Sequence, residues 1–385
     1  MRVGLVSNLP GLDSVRQQGV QDAALDRVFS AIGGNSGNIA YVAGTRRVLM
    51  DEVIAIDWST ANEFILNNCD IVVIACANQL GPHADLNDWA NKLERLRLPV
   101  VLIGLGAQAA ERGVHVALPE GTVRFLRLVR ELRPEGSETN IAVRGDFSRS
   151  VLETYGGSGV SLGCPSLFLN LDPALGAKVS GTARSKAGSS FTLAAGNPFL
   201  STSVGAEVRL CELAYERQGR CVVQHPFEMV ALASGKEPGL PEHTIEFIRQ
   251  RMLPRLTNEK FLAWVRSFWD LHLDVHEWMI ALKEYHRVIG ARYHGVALGV
   301  QAGLPSCVVA IDARTQELAE TSCIPVISVS EAAAITDVTL IDDLWSGDWG
   351  QKFDDNRARL ARGTVSFLQA QGLTPCHELQ ALARN

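Results

Sequence analysis

Arg287–Ile311 reads RVIGARYHGVALGVQAGLPSCVVAI, and this stretch decides the fold. A short apolar run, Val288–Gly290, leads into Ala291-Arg292-Tyr293-His294-Gly295. A helical pattern follows over about Gly295–Ala302, then Gly303-Leu304-Pro305 and a second apolar run, Cys307–Ile311. Strand, helix and strand in succession, with strands apolar on both faces, read as a parallel βαβ unit. In open α/β sheets, ligands bind beyond the carboxyl ends of the strands, where Arg292 and His294 sit. On an extended backbone their i, i+2 spacing puts both on one face. His294 also lies at a helix N-terminus, where free N–H groups and the dipole favour an anion. The competing reading is structural: Arg292 pairs with a surface carboxylate and His294 is a satisfied core histidine.

The same alternation extends outward. Strands are expected at Val3–Ser7, Val53–Ile56, Ile71–Cys76, Val100–Gly104, Ile141–Val143 and Val160–Leu162. A second series covers Phe191–Ala195, Cys221–Gln224, Val288–Gly290, Cys307–Ile311 and Val326–Val329. Helical patterns lie between, among them Leu86–Leu96, Thr122–Leu132, Phe147–Tyr155, Ala206–Arg217, His243–Met252 and Asn258–Leu271. Alternating strand and helix predicts an α/β fold with parallel sheets. Asp172–Ser190, rich in Gly, Ala, Ser and Lys, reads as the linker between two α/β domains, residues 1–171 and 190–340. Residues 341–385 read as a helical tail that packs back across the cleft.

Composition narrows the class. The chain has 385 residues, 46% of them hydrophobic and 20% charged, which is ordinary for a folded chain and excludes disorder as the main state. Its 36 basic and 42 acidic residues give a net charge of −6, which argues against a dedicated nucleic-acid or anionic-membrane binder. The eight cysteines form no C-x-x-C pair and several lie in apolar runs, so they read as reduced, buried residues of a cytosolic protein. The N-terminal Met-Arg-Val-Gly-Leu-Val-Ser reads as a first strand and not a signal peptide. No apolar run approaches the ~20 residues of a membrane span, leaving at most peripheral membrane contact.

Other strand ends carry candidates. Cys307–Ile311 ends in Asp312-Ala313-Arg314-Thr315, where Arg314 offers a second cation and Asp312 or Thr315 a helix cap. Ile141–Val143 ends in Arg144-Gly145-Asp146, with Asp146 or Ser148 expected to cap the next helix. Gly33-Gly34-Asn35-Ser36-Gly37-Asn38 is a turn whose N–H groups can meet an anion or a sugar hydroxyl. Gly104-Leu105-Gly106-Ala107-Gln108-Ala109 fits the loose dinucleotide pattern. It lacks the helix start and the acidic residue that complete that site, so no nicotinamide cofactor is expected. His272 and His276 have H-x-x-x-H spacing, but Leu273 stands where the zincin Glu belongs, so no metal is expected.

Four segments together resemble the polysaccharide pyruvyl transferase superfamily: Gly34–Asn38, Val143–Ser148, Gly163–Phe168, and Gly290–Gly295 continuing through Gly303-Leu304-Pro305 to Asp312-Ala313-Arg314. The resemblance implies two Rossmann-like domains facing a cleft, as in GT-B glycosyltransferases, with the N-terminal domain on the acceptor side and the C-terminal one on the donor side. It implies phosphoenolpyruvate as donor substrate, no separate cofactor, and a saccharide acceptor of a cell-surface polysaccharide or its precursor, lipid-linked in some cases. That places the chain in the cytoplasm or at the inner face of the membrane. The family's Arg-x-His falls on Arg292 and His294 and its strand-end Arg on Arg144; Gly145 intervenes before the acid that many members carry next, which leaves Asp146 as a helix cap. Arg144, Arg292 and Arg314 would then bind the donor, since Arg holds carboxylate and phosphate bidentately. His294 would serve as general acid to the enol carbon or as base to the incoming hydroxyl. Asn35, Gly37, Asn38 and Gln108 would face the acceptor. Two alternatives share the fold: a nucleotide-sugar glycosyltransferase of GT-B type, and a non-catalytic glycan-binding descendant. The sequence leaves the oligomeric state open.

Overall fold

The apolar runs become two parallel sheets. The structure, a computed structural model, describes residues 1–19, 22–185 and 188–385. The first sheet contains β1 (Arg2–Val6), β2 (Glu52–Ile56), β3 (Ile71–Ala75), β4 (Val100–Leu105), β5 (Ile141–Val143) and β6 (Val160–Ser161). The second contains β7 (Phe191–Ala194), β8 (Arg220–Val222), β9 (Trp269–Asp270), β10 (Arg287–Gly290), β11 (Ser306–Ala310) and β12 (Val326–Ser328). Central strands such as β3, β4, β7 and β10 are buried throughout, whereas the edge strand β2 alternates with exposed positions. This is the burial expected of a parallel sheet covered by helices on both faces.

The orders are β2-β1-β3-β4-β5-β6 and β12-β11-β10-β7-β8-β9. The second is the Rossmann order and the first is the other doubly wound order. The order in which strands are added therefore reverses between β1 and β3 in one sheet and between β7 and β10 in the other, although all strands stay parallel. Loops diverge at such a switch point and leave a crevice beyond the strand ends. The two sets of strand ends meet: Ser36 donates its backbone N–H to the carbonyl of Gln224 at 3.1 Å, and the rings of Tyr41 and His294 lie 5.7 Å apart.

Three expectations are corrected. The helix expected over Asn258–Leu271 stops at Phe268, because Trp269 turns extended (φ −100°, ψ 136°) into β9. There its indole packs edge-on against Phe261 and Trp264, the kind of aromatic packing that favours a strand. The stretch expected to be a linker, Asp172–Ser190, contains a helix, Leu175–Ser185, with Leu175, Val179 and Ala183 buried; residues 186–187 of that stretch lie outside the described residues. Its small residues serve close packing: a Cβ on Gly176 would come within 2.2 Å of the Gly350 carbonyl on the helix Trp349–Ala370. The Asp354 carboxylate then receives the N–H groups of Gly176 and Ala177 at 2.7 and 3.0 Å. Finally, neither Asp146 nor Ser148 caps the helix Asp146–Thr154 from its own turn. Glu317, on the helix Ala313–Ser322 of the other half, accepts the Ser148 N–H and hydroxyl, both at 2.7 Å. Asp146 instead accepts from Ser161 at 2.8 Å.

The C-terminal helices begin on the second sheet, where Asp342 pairs with the buried Arg287 and Trp345 donates to the Ser306 carbonyl. They end on the first, where Glu378 pairs with Arg47 at 3.0 Å and Asp51 accepts from Thr374. One apolar cluster accordingly runs through both halves, and a second lies within the first half. All eight cysteines are free; seven are buried and Cys323 is partly so.

Candidate active site

The loop after β10 delivers Arg292 as the N-cap of the helix Tyr293–Gln301, so His294 stands in the first turn of that helix. Both residues are only 9% exposed, so little bulk water reaches them. Arg292 Nη2 lies 3.1 Å from His225 Nδ1, on the loop after β8. Its Nε is buried with no partner among the described residues. Burial, with the neighbouring Arg314 charge, pushes the Arg292 guanidinium down to about 10, while Glu207 and Asp312 act in the opposite sense. Glu207 occupies the space beside Gly196, at the end of β7, and accepts the Gly196 N–H at 3.0 Å. Burial raises its carboxyl to about 7.

Arg144 reaches the same region from the first sheet. Register shifts between Ile103 and Leu105, with Gly104 in the left-handed region at φ 79°. That kink aims the Gly104 carbonyl at Arg144 Nε, 2.9 Å away, and Cys76 O accepts from Nη2 at 3.2 Å. Gly106 leaves room for the side chain, since a Cβ there would come within 2.7 Å of Arg144 Cδ. The Gly-x-Gly segment is thus the seat of an arginine. The guanidinium lies over the Tyr41 ring, 5.6 Å from its centroid. Arg314 is partly buried, pairs with Asp312 at 3.2 Å and also has an unpartnered buried Nε.

These groups share one field. Burial, and then the charges of Arg144 and Arg314, hold His294 well below its ordinary value. Burial, and then Arg292 and Arg314, push His225 down to about 4. Both imidazoles are therefore neutral at pH 7 in the free protein. His294 Nε2 sits 3.5 Å from the Cys164 thiol, which accepts from Ser166 at 3.1 Å. Among the described residues, Arg144 and Arg292 have no carboxylate within ion-pair distance.

The remaining sequence candidates separate. Asn35 and Asn38 line an open cavity of about 1110 Å³ at the switch point of the first sheet, which Tyr41 and His225 also line. Gly37 is the point of closest approach between the halves: a Cβ there would meet Gln224 Oε1 at 2.3 Å and His294 Cβ at 3.1 Å. Gln108 lies outside the cavity lining and accepts from Asn78, which lines it. His225 escaped the sequence reading although it follows β8 as Arg292 follows β10, and the same strand-end rule finds it. Glu207 had no such signal, because a Glu on an amphipathic helix reads as solvated. No group of three or more His, Cys, Asp or Glu among the described residues could hold a metal. No helix of the described residues is long and apolar enough to cross a membrane.

A family model described as polysaccharide pyruvyl transferase matches residues 24–313. The chain belongs to this family. The match includes Arg144, Arg292 and His294, and ends one residue before Arg314. As a polysaccharide pyruvyl transferase family member it is a transferase by descent. No curated protein matches the chain. Among solved structures, Staphylococcus aureus MnaA with UDP is 15% identical, covers 97% of this chain and 98% of its own, and has a TM-score of 0.43. A putative UDP-N-acetylglucosamine 2-epimerase from Listeria monocytogenes is 12% identical over 96% of each chain, with a TM-score of 0.43. Anabaena HepE with UDP and glucose is 10% identical, covers 100% of this chain and 98% of its own, and has a TM-score of 0.41.

Proposed function

We propose that this chain transfers the pyruvyl group of phosphoenolpyruvate to two hydroxyls of one sugar in a saccharide, forming a cyclic ketal and releasing phosphate. The observation that carries this reading is a gathering of arginines with unused hydrogen-bonding capacity: among the described residues Arg144 and Arg292 have no carboxylate partner, and Arg314 has Asp312. Arg292 and Arg314 each hold a buried, unpartnered guanidinium N–H, and Arg144 approaches from the other sheet. Buried polar groups are rarely left unpaired, and a small, densely charged anion would satisfy these. Phosphoenolpyruvate offers a carboxylate and a phosphate of matching size, and enters as a substrate rather than a cofactor.

The chemistry follows from the electrostatics. An anion beside His294 offsets the field of Arg144 and Arg314 and favours the protonated imidazole. Donor loading thus brings a proton onto His294. Transfer of that proton to C3 makes a methyl group and leaves C2 electrophilic. One sugar hydroxyl adds to C2, and a second displaces phosphate there. Of the two hydroxyl protons, one restores the imidazolium and the other leaves with phosphate, so the step balances. The carboxylate stays on C2, held by the arginines throughout.

A thermal-shift panel tests the reading. Phosphoenolpyruvate at ~100 times its Kd should stabilise the protein by ~2.7 kcal/mol, and UDP or other nucleoside diphosphates should not. Stabilisation by a nucleotide alone would instead favour a nucleotide-sugar transferase.

A further inference from the structure

The cavity of the first sheet has chemistry of its own. It opens at the switch point between β1 and β3, and at about 1110 Å³ it exceeds what a single sugar ring needs. Two of its lining residues also touch the cation cluster: Tyr41 faces His294, and His225 bonds Arg292. A ligand lying in the cavity therefore ends beside the reacting centre.

Its polar lining is half-anchored. Asn35 Oδ1 accepts the Gly37 N–H at 2.9 Å, leaving its Nδ2 free among the described residues. Asn38 spends its Nδ2 on the carbonyls of Ile32 and Gly33 and keeps its Oδ1. Asn78 donates to Gln108 and keeps its Oδ1, while Gln79 Oε1 accepts from Ala77 at 2.7 Å and leaves its Nε2. Asp57 takes four donors from Ser59 and Thr60 on Oδ1, leaving Oδ2 without a hydrogen-bond partner among the described residues. Burial pushes the Asp57 carboxyl up, but those bonds outweigh it and hold it below its ordinary value, so it is ionised at pH 7. Fixed acceptors interleaved with fixed donors suit hydroxyls, which both give and take hydrogen bonds. Arg27 also lines the cavity and offsets the Asp57 charge, so the space is nearly neutral overall. Beside Asp57, partly exposed Trp58 stacks on Trp89 with centroids 4.3 Å apart, and both line the cavity. A broad aromatic face next to fixed polar groups offers the C–H face of a pyranose a platform.

We propose that this cavity is a subsite for a neutral, extended saccharide, with Trp58 and Trp89 as its platform and Asp57, Asn38 and Asn78 as its acceptors. It would hold the sugars behind the one that receives the pyruvyl group, and in that sense it rests on the pyruvyl-transfer reading. The test titrates the full-length protein with a library of neutral oligosaccharides of one to five residues and with UDP, reading tryptophan fluorescence and calorimetry. The same samples are titrated with phosphoenolpyruvate. Affinity should rise at least tenfold from mono- to tetrasaccharide. Trp58→Ala should lose at least tenfold for the tetrasaccharide, Trp58→Phe should regain most of it, and neither should alter phosphoenolpyruvate binding. Affinity independent of length, no binding by any library member, or UDP binding lost in Trp58→Ala would overturn the subsite, even where phosphoenolpyruvate still binds. Length-dependent, Trp58-dependent saccharide binding without any response to phosphoenolpyruvate would support the subsite and sink the pyruvyl reading alone.

Discussion

At the switch point of the first sheet, the loops after β1 and β3 frame an open space lined by aromatics and by amides with one end tied down. At that of the second sheet, between β7 and β10, the space is filled by the protein's own Arg292, His294 and Glu207, with Arg144 brought over from β5. Both crevices follow from the same topology, yet one is roomy and nearly neutral and the other is tight and cationic. Under the two proposals, the difference separates two tasks: holding a chain of hydroxyls, and holding a small anion out of water. Fold alone therefore does not assign the site; the side chains at the two switch points do.

Breaking the cationic side should have the largest effect. Arg292→Ala should weaken phosphoenolpyruvate binding by about 30-fold or more, as losing a buried charged partner costs on the order of 2–5 kcal/mol. Arg292→Lys should restore little, because an ammonium cannot bridge two oxygens in one plane. Calorimetry with the donor, beside an unchanged saccharide titration, reads this directly; equal losses on both sides would erase the distinction between the crevices.

Next comes the orientation of His294. Cys164→Ala removes the thiol 3.5 Å from its Nε2. We expect turnover to fall about tenfold, a part of the 10²–10⁴ that a placed acid–base group supplies, with the donor KM unchanged and Cys164→Ser recovering most of the rate. A change in KM with constant turnover would place Cys164 in binding instead.

The contact that joins the two sides is Glu317. Glu317→Ala strands the buried Ser148 N–H and should cost roughly 1–3 kcal/mol of stability, seen as a lower Tm with an intact donor affinity. An unchanged Tm would show that this cap does not couple the halves.

The smallest effect concerns protons. His225, lowered to about 4, and His294, lowered well below its ordinary value, are neutral when the site is empty. A bound anion raises both, and raises Glu207 as well, so donor binding takes protons up and tightens as pH falls from 8 to 6. Calorimetry in buffers of different ionisation enthalpy should show net uptake; release would reverse the sign of the proposed field.

Much of this contrast can be read from the sequence. Strands buried on both faces announce themselves as apolar runs, and Arg144, Arg292 and His294 stand out because each follows one. The two-residue β9 is too short for any pattern. Leu175–Ser185 looked like a linker because its small residues, which let it pack tightly on the C-terminal helix, are also those of flexible connections. The cap from Glu317 and the seating of Arg144 by Gly104 and Gly106 join residues far apart in the chain, where local spacing carries no signal. Asp57, Trp58 and Trp89 escaped for the same reason, since no one segment holds the cavity together.

The central claim is that the tight, cationic switch point carries out acid–base chemistry on phosphoenolpyruvate. Acceptor-dependent phosphate release by His294→Ala, measured beside its phosphoenolpyruvate binding, tests it most directly. Phosphate release at least ~100-fold slower than wild type, with the donor still bound, is the predicted result. Release near the wild-type rate would contradict it.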